Sequence, residues 1–253
     1  MRKMALINEK GGSCKTTLVI NLGSYLALNR GMRVLLIDLD PQGQVGKGLG
    51  FDVQAEEKTI YTLLTDEEAS PRDFVRPTHI DGLDVILANK KLIDLPVMIA
   101  DHKDRLDKLH KRIAPIRGYD IIFFDSPPSL GLTTLNIMMA TDEIIIPVSL
   151  TYFALDGCSE ILDTVEQVRS NFGRSDLEVS HIVPTLYRNT KLAKAILEKL
   201  RRNFSDRVAD TVIGYNVKID EAQSFGKTIW EYAPRSRGAE MLRDLAEEVF
   251  VNG

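Results

Sequence analysis

Short apolar runs that alternate with longer amphipathic stretches constrain the fold of this chain more than any other feature. The runs occur at 4–7, 34–37, 83–87, 121–124, 144–146 and 182–183, and several of them hold no polar residue. Such runs are typical of strands buried on both faces of a parallel sheet. Crossover helices are predicted between them, at 16–30 with Gly31 as the C-cap and around 91–113, 153–171, 190–203 and 237–250. The alternation predicts an α/β fold, a doubly wound, mostly parallel sheet flanked by helices.

The chain shows no internal repeat, low-complexity tract or linker, so we predict a single domain over residues 1–253, with an excursion from the sheet at 41–80. It has 32 Lys and Arg against 36 Asp and Glu, a net charge of −4 that gives no general argument for nucleic acid. No apolar run approaches the roughly 18 residues of a membrane span, and no secretory signal is expected. Two cysteines cannot build a disulfide framework or a four-cysteine metal site.

The segment 8–17, NEKGGSCKTT, follows the first predicted strand and opens the first predicted helix, the context that a phosphate-binding loop requires. Gly11 and Gly12 allow a tight turn with N–H groups facing an anion, and the helix N-terminus adds partial positive charge. We expect Lys15 to reach the β- and γ-phosphates and the Thr16 hydroxyl to coordinate Mg²⁺. Nucleotide contacts are predicted at Gly11, Gly12, Ser13, Cys14, Lys15, Thr16 and Thr17.

Two positions depart from the standard pattern G-x-x-x-x-G-K-[ST]. Glu9 and Cys14 stand where the two glycines are expected. The Cys14 side chain would crowd the phosphates if its backbone needs a positive φ. A further hypothesis is that this thiol, at a helix N-terminus, has a lowered pKa and is oxidisable.

Two carboxylate motifs end neighbouring predicted strands. The apolar run 121–124 leads into Asp125, a Walker B pattern in which the carboxylate holds Mg²⁺ through water. The second strand leads into Asp38 and Asp40, which strand alternation puts on one side, at the sheet edge where ligands bind.

Lys10, ahead of the glycine pair, completes the pattern K-G-G-x-x-K-T-T, which resembles the deviant Walker A motif of the ParA/MinD ATPases. The resemblance implies ATP and Mg²⁺ as ligands and an ATP-dependent homodimer in which Lys10 reaches the partner's phosphates. It also implies that Asp40 orients or activates the attacking water and that Asp38 lies near the Mg²⁺ water shell. The catalytic residues are therefore expected to be Lys10, Lys15 and Asp40.

The resemblance extends into the C-terminal third, through the segments 184–190, 217–222, 226–227 and 232–239. It implies that 184–190 lies against the adenine base and that Pro234 and Arg235 contact the nucleotide. The chain most resembles the small chromosomal type of ParA. Since seven residues precede Asn8, a preceding helix-turn-helix domain is not expected.

A basic segment contrasts with the acidic whole: seven basic and two acidic residues lie between Arg188 and Arg207. The resemblance implies nonspecific DNA binding by the ATP dimer, release through hydrolysis stimulated by a ParB-like or other partner, and a cytoplasmic, nucleoid-associated location. DNA contacts are predicted at Arg188, Lys191, Lys194, Lys199 and Lys218. A solvated helix face remains an alternative for the same charges.

Three alternative functions stay open. A MinD-like membrane switch needs an amphipathic C-terminal anchor, but Glu247 and Glu248 would be repelled by anionic lipid, so no stable anchor is expected. An iron–sulfur ATPase needs thiolate ligands near a dimer interface. An ATP-binding switch with negligible hydrolysis would follow from Glu9 and Cys14. The sequence does not specify whether the cargo is a chromosome, a plasmid or a protein cluster.

Overall fold

A seven-stranded sheet forms the centre of the molecule in a computed structural model, which describes residues 1–250. The strand order is β3-β4-β2-β5-β1-β6-β7, and every neighbouring pair is parallel except β3 and β4. The strands are β1 (Arg2–Leu6), β2 (Val34–Asp38), β3 (Arg76–Pro77), β4 (Leu83–Ile86), β5 (Ile121–Asp125), β6 (Glu143–Ser149) and β7 (Glu178–Thr185). The predicted α/β class with a mostly parallel sheet is confirmed.

The sheet is apolar on both faces. Every residue of β2 and β5 is buried, and alternate side chains join two different core clusters. Leu35 and Ile37 pack on one side, whereas Val34 and Leu36 pack on the other. This alternation explains why the central strands read as continuous apolar runs, and it requires helices on both faces.

Helices cover both faces. The helices are α1 (Lys15–Arg30), α2 (Gln44–Gly48), α3 (Ile60–Thr65), α4 (Leu95–Met98), α5 (Lys108–Ile113), α6 (Leu132–Ala140), α7 (Ala154–Phe172), α8 (Lys191–Asn203), α9 (Val217–Ser224), α10 (Ile229–Tyr232) and α11 (Arg237–Phe250). Residues Pro71–Phe74 form a 3₁₀ helix, and residues Lys90–Asp94 form another. Buried apolar residues of α1, α2 and α9–α11 belong to one core cluster, and those of α3–α8 belong to the other.

One predicted helix, around 91–113, is wrong. The structure divides this segment into the 3₁₀ segment Lys90–Asp94, the short α4 and α5, with turns between the last two. Pro96 is tolerated only because it lies in the first turn of α4. Residues 101–107 contain one apolar residue, Leu106, so they lack the stripe that would hold a helix on the sheet.

Other boundaries agree with the expectations. Helix α1 ends at Arg30, and Gly31 adopts a left-handed conformation with φ 62°, its N–H donating to the Leu26 carbonyl. Residues 41–80 leave the sheet through α2 and α3 and return as the antiparallel edge strand β3. Within residues 1–250, no helix is long and apolar enough to cross a membrane.

The topology brings the ends of β1, β2 and β5 together. Strand β1 lies between β5 and β6, and Leu6 of β1 and Asp38 of β2 both pair with Asp125. Side chains that follow these strands therefore meet at one edge of the sheet, the edge at which doubly wound folds bind ligands.

Candidate nucleotide site

The loop between β1 and α1 is an open cradle of backbone N–H groups. Cys14 is the N-cap of α1, with φ 72° and ψ 19°, and no side chain caps the first turn. The first-turn N–H groups therefore have no intrahelical partner and can bind an anion. A Cβ placed on Gly11 or Gly12 would meet nothing within 4 Å, so the loop faces open space.

Lys15 lies inside this cradle. Its Nζ donates to the carbonyl oxygens of Asn8 at 2.9 Å and Lys10 at 3.4 Å. Burial lowers the pKa of Lys15, while the charges of Asp125 and Asp40 oppose that shift. The Asn8 side chain fixes the start of the loop, because its Nδ2 donates to the Pro147 carbonyl and its Oδ1 accepts from the Lys10 N–H. The ammonium is thus held at the centre of the phosphate loop.

Thr16 and Asp125 meet beside the loop. The Thr16 hydroxyl donates to Asp125 Oδ2 at 2.7 Å. The second oxygen, Asp125 Oδ1, is buried and has no hydrogen-bond partner within residues 1–250. Burial raises the pKa of Asp125 to about 7, although the Thr16 hydrogen bond and Lys15 oppose the shift. A hydroxyl beside a buried carboxylate with a free oxygen is a donor set that suits Mg²⁺.

Asp38 and Asp40 have different surroundings. Asp38 is fully buried, and its two oxygens accept the backbone N–H groups of Asp40 at 3.0 Å and Val45 at 3.1 Å. Burial and the charge of Asp125 raise the pKa of Asp38 well above its ordinary value. Asp40 is half-buried at the cavity wall. Asp38 therefore holds the turn that presents Asp40, and its predicted place near a metal's water shell stays a prediction.

A cavity of about 460 Å³ opens above the loop. It brings together most of the predicted nucleotide residues: Gly11, Gly12, Ser13, Cys14, Lys15, Thr16, Thr17 and Asp40. It also includes Leu186 and Asp220, from the segments 184–190 and 217–222 where the resemblance continues, and residues outside the predicted segments: Gln42, Gln44, Lys47, Gly48, Pro128 and Gln223. Leu186 falls in the segment expected to face adenine and has a left-handed backbone with φ 52°. Asp220 falls in the segment 217–222, but the resemblance implies no role for it, and Gln223 lies just beyond that segment.

Three predicted nucleotide residues do not line this cavity. Pro234 and Arg235 are exposed in the turn between α10 and α11, and their nucleotide contacts remain a prediction. Lys10 turns toward the start of α7, where its Nζ donates to the Phe153 carbonyl at 2.6 Å and lies 5.4 Å from the Phe153 ring centroid. The neighbouring Tyr152 is 75% exposed and Phe153 is 60% exposed. Lys10 therefore stands beside an exposed aromatic pair.

The thiols do not support the two cysteine hypotheses. Burial raises the pKa of Cys14 to about 11, so the expected lowering by the helix N-terminus is wrong and the thiol stays protonated at neutral pH. Cys158 is buried. In the described part of the chain, no three His, Cys, Asp or Glu side chains are grouped as a metal site.

The predicted DNA-contact residues on α8 share its exposed face. Ala193, Ile196 and Leu200 bury the opposite face, and the Thr190 hydroxyl caps the helix by accepting the Ala193 N–H at 3.1 Å. The exposed basic residues of this helix are Lys191, Lys194, Lys199, Arg201 and Arg202. The amphipathic pattern thus leaves a row of cations facing solvent.

Arg188 lies in the loop between β7 and α8, and Lys218 lies in the first turn of α9. Tyr187 forms a bridge with Gly214, which brings Arg188 beside Tyr215, and the guanidinium lies 4.7 Å from the Tyr215 ring centroid. Lys218 is exposed on α9, and its Nζ donates to Glu221 at 2.7 Å. That intrahelical ion pair is a weak surface contact, so it leaves Lys218 able to exchange partners.

A glycine-rich loop between a strand and a helix, a Lys-Thr pair in the first helical turn and a carboxylate on the adjacent strand define a P-loop nucleotide-binding protein. A family model described as an AAA domain matches residues 1–179. The sporulation initiation inhibitor protein Soj of Bacillus subtilis is 40% identical over 252 residues, covering 99% of this chain and 98% of the relative. The chromosome-partitioning ATPase Soj of Thermus thermophilus is 42% identical over 252 residues, covering 99% and 96%.

The chain therefore belongs to the ParA/Soj family of chromosome-partitioning ATPases. Among solved structures, it is similar to cobyrinic acid a,c-diamide synthase from Mycobacterium smegmatis with bound ATP analogue and magnesium. That structure has a TM-score of 0.85 and 28% identity, and the match covers 98% of this chain and 93% of the other.

Proposed function

We propose that this chain is an ATP-dependent dimerising switch that binds DNA nonspecifically and positions or segregates DNA or another cargo. Partner-stimulated ATP hydrolysis would reset it. The observation that carries the proposal is the convergence of Lys15 and Thr16, from the first turn of α1, with Asp40 around one cavity, where Thr16 also bonds to the buried Asp125. The relatives named as chromosome-partitioning ATPases support the biological role.

Nucleotide binding would use the cradle and the ammonium inside it. The first-turn N–H groups and Lys15 would bind the phosphates, with Lys15 exchanging its two carbonyl partners for phosphate oxygens. Thr16 and Asp125 would hold Mg²⁺, because they supply a hydroxyl and a free carboxylate oxygen. Mg²⁺ when bound neutralises charge on the β- and γ-phosphate oxygens. The related structure that contains an ATP analogue and magnesium supports this assignment.

Hydrolysis would depend on Asp40. Its carboxylate lies at the cavity wall, and the N–H of Gln42 donates to its Oδ1 at 2.8 Å, which fixes its direction. The remaining lone pairs can accept a hydrogen bond from a water molecule and orient it for attack. Asp38 acts through the backbone, since it holds the N–H groups at both ends of this turn.

Dimerisation would recruit Lys10 to the partner's phosphates. In the single chain its ammonium is held by the Phe153 carbonyl and faces the Phe153 ring. Lys10 is half-exposed, and only one carbonyl and one ring hold its ammonium. The ammonium can therefore exchange these contacts for charge-assisted hydrogen bonds to phosphate. ATP would therefore favour the dimer more than ADP does, because the γ-phosphate supplies the additional negative charge.

DNA binding would use the row of cations on α8 together with Arg188 and Lys218. Exposed Lys and Arg contact phosphates without reading sequence, which suits nonspecific, salt-dependent binding. A dimer would double the number of cations that one duplex meets. This behaviour would place the protein on the nucleoid in the cytoplasm.

One observation favours a second candidate, an ATP-binding switch with negligible hydrolysis. Cys14 precedes Lys15 and carries a side chain at φ 72°, a conformation that favours glycine. A loop held in this strained conformation would bind nucleotide with altered geometry, and ATP would then be retained without turnover. Cys14→Gly distinguishes the two candidates, because only the second predicts that hydrolysis appears on this change.

A membrane-anchored switch has less support. The apolar residues of α11, including Leu242, Leu245 and Val249, are buried against the same core cluster as α1. Tyr25 of α1 also donates to Glu247. An anchor made from this helix would have to leave the fold.

The test is retention on nonspecific duplex DNA with ATP, with ADP, and with Lys10→Ala plus ATP, at two salt concentrations. The proposal predicts retention with ATP alone, lost at the higher salt and abolished by Lys10→Ala. Lys90→Ala, an exposed lysine outside the cavity and the basic segment, is the matched control and should retain DNA as the unchanged chain does. Retention that is equal with ATP and ADP would contradict the switch.

A further inference from the structure

The nucleotide cavity has two chemically different ends. Thr16 bonds to Asp125 on β5, which lies on one side of β1, whereas Leu186 follows β7, on the other side of β1. The first end is the phosphate and metal end by its donor set. The nucleoside of a bound nucleotide must therefore extend toward the second end, where Asp220 and Gln223 line the cavity.

Helix α9 is fixed to the phosphate loop at this second end. The Gln223 side-chain amide and the Thr17 hydroxyl share a hydrogen bond, with Nε2 to Oγ1 at 3.1 Å. Ile219 and Ala222 of α9 are buried in the core cluster that also contains the buried apolar residues of α1. Asp220 lies three residues before Gln223 and so one turn away on the same face. The Gln223 contact therefore holds the Asp220 carboxylate at the cavity wall.

Asp220 is a carboxylate in the lining of a cavity that is expected to bind negatively charged phosphates. It is exposed, and its carboxylate makes no hydrogen bond or ion pair with any residue from 1 to 250. Its charge reaches the loop, since it raises the pKa of the Cys14 thiol. An unpaired carboxylate beside a polyphosphate is repulsive. It becomes favourable only where the ligand offers a donor, and the donors next to the phosphates of a nucleotide are the ribose hydroxyls.

We propose that Asp220 accepts a hydrogen bond from a ribose hydroxyl and makes the site selective for ribonucleotides, with Gln223 as a positioning residue. The inference rests on the proposed nucleotide binding and adds the sugar to it. A charge-assisted hydrogen bond to a sugar hydroxyl is among the stronger polar contacts. A deoxynucleotide that lacks the hydroxyl leaves the carboxylate facing phosphate without compensation.

The experiment compares binding of ADP, 2′-deoxyADP and 3′-deoxyADP with Mg²⁺ by calorimetry, since diphosphates avoid hydrolysis. At least one deoxy analogue is expected to bind about tenfold more weakly than ADP. Asp220→Ala should reduce that ratio to below about twofold, because the acceptor is lost. Asp163→Asn, which removes an exposed carboxylate of α7 outside the cavity, should keep the full ratio.

Tripolyphosphate serves as the probe without a sugar. Asp220→Ala should bind it at least as tightly as the unchanged chain, because a repulsive charge has been removed and the loop is intact. ADP binding with no discrimination against either deoxy analogue, or discrimination that survives in Asp220→Ala, would overturn the sugar contact and leave nucleotide binding standing. Absence of ADP binding in the unchanged chain would overturn the proposed function as well.

Discussion

The backbone at Cys14 makes a measurable prediction about stability. Its φ of 72° and ψ of 19° lie in the left-handed region. The left-handed conformation costs a residue with a Cβ roughly 1–2 kcal/mol, whereas glycine adopts it freely. Glycine also gains freedom in the unfolded chain, which offsets about 0.4–1 kcal/mol of that advantage. We therefore expect the free energy of unfolding of Cys14→Gly to exceed that of Cys14→Ala by about 1 kcal/mol.

The comparison with alanine isolates the backbone, because both variants lose the thiol and only alanine keeps the Cβ. For a chain of this length, about 1 kcal/mol corresponds to roughly 2–4 °C in Tm. The assay is thermal unfolding of the nucleotide-free variants at one pH, followed by circular dichroism and calorimetry.

A matched pair at Gln167 provides the control. This residue is exposed inside α7, where the backbone is right-handed, so Gln167→Ala should be more stable than Gln167→Gly by about 1 kcal/mol. The order of the two residues should thus reverse between the two sites. Equal Tm values for Cys14→Gly and Cys14→Ala, or a higher value for alanine, would refute the idea that the loop stores backbone strain.

Two further predictions concern charge. Burial raises the folded-state pKa of Asp125 from 3.8 to about 7, so the folded chain binds more protons than the unfolded chain between these values and loses stability as pH rises through them. Asp125→Asn should therefore raise the Tm of the nucleotide-free protein more at pH 8 than at pH 5. The same change should weaken Mg²⁺-dependent ADP binding. A Tm gain that is the same at both pH values would contradict the raised pKa of Asp125 as its cause. Lys191→Ala with Lys194→Ala should weaken ATP-dependent DNA retention and lower the slope of log affinity against log salt by up to about 2, whereas Lys90→Ala should not; an unchanged slope would mean that these lysines do not contact phosphates.

Periodicity was sufficient for the sheet and the long helices. The runs at 34–37 and 121–124 predict β2 and β5 because residues buried on both faces leave no polar interruption. Helix α1 is equally clear, since Gly31 marks its end. The segment 91–113 does not form one helix because its apolar residues cluster at 92–99 and resume only at Leu106, and the average pattern of the segment conceals that gap.

Some residues of the site could be predicted from the sequence, and others could not. Lys15, Thr16 and Asp125 could be predicted because local spacing and strand ends place them, and they meet in the structure. Asp220 and Gln223 could not, because α9 reaches the loop only through tertiary packing of Ile219 and Ala222. The sequence indicates that a positive φ at Cys14 would be unfavourable, but the burial that raises the pKa of its thiol is visible only in the structure.

The central claim is that ATP drives dimerisation through Lys10. Its most direct test is the molar mass in solution, by sedimentation, of Asp40→Ala with Mg²⁺ and either ATP or ADP, because this change should prevent hydrolysis. The account predicts a mass that rises with ATP from the 28.4 kDa of one chain to twice that value, stays at one chain with ADP, and stays at one chain with ATP when Lys10→Ala is added. A dimer that forms equally with both nucleotides, or that persists with ATP after Lys10→Ala, would contradict it.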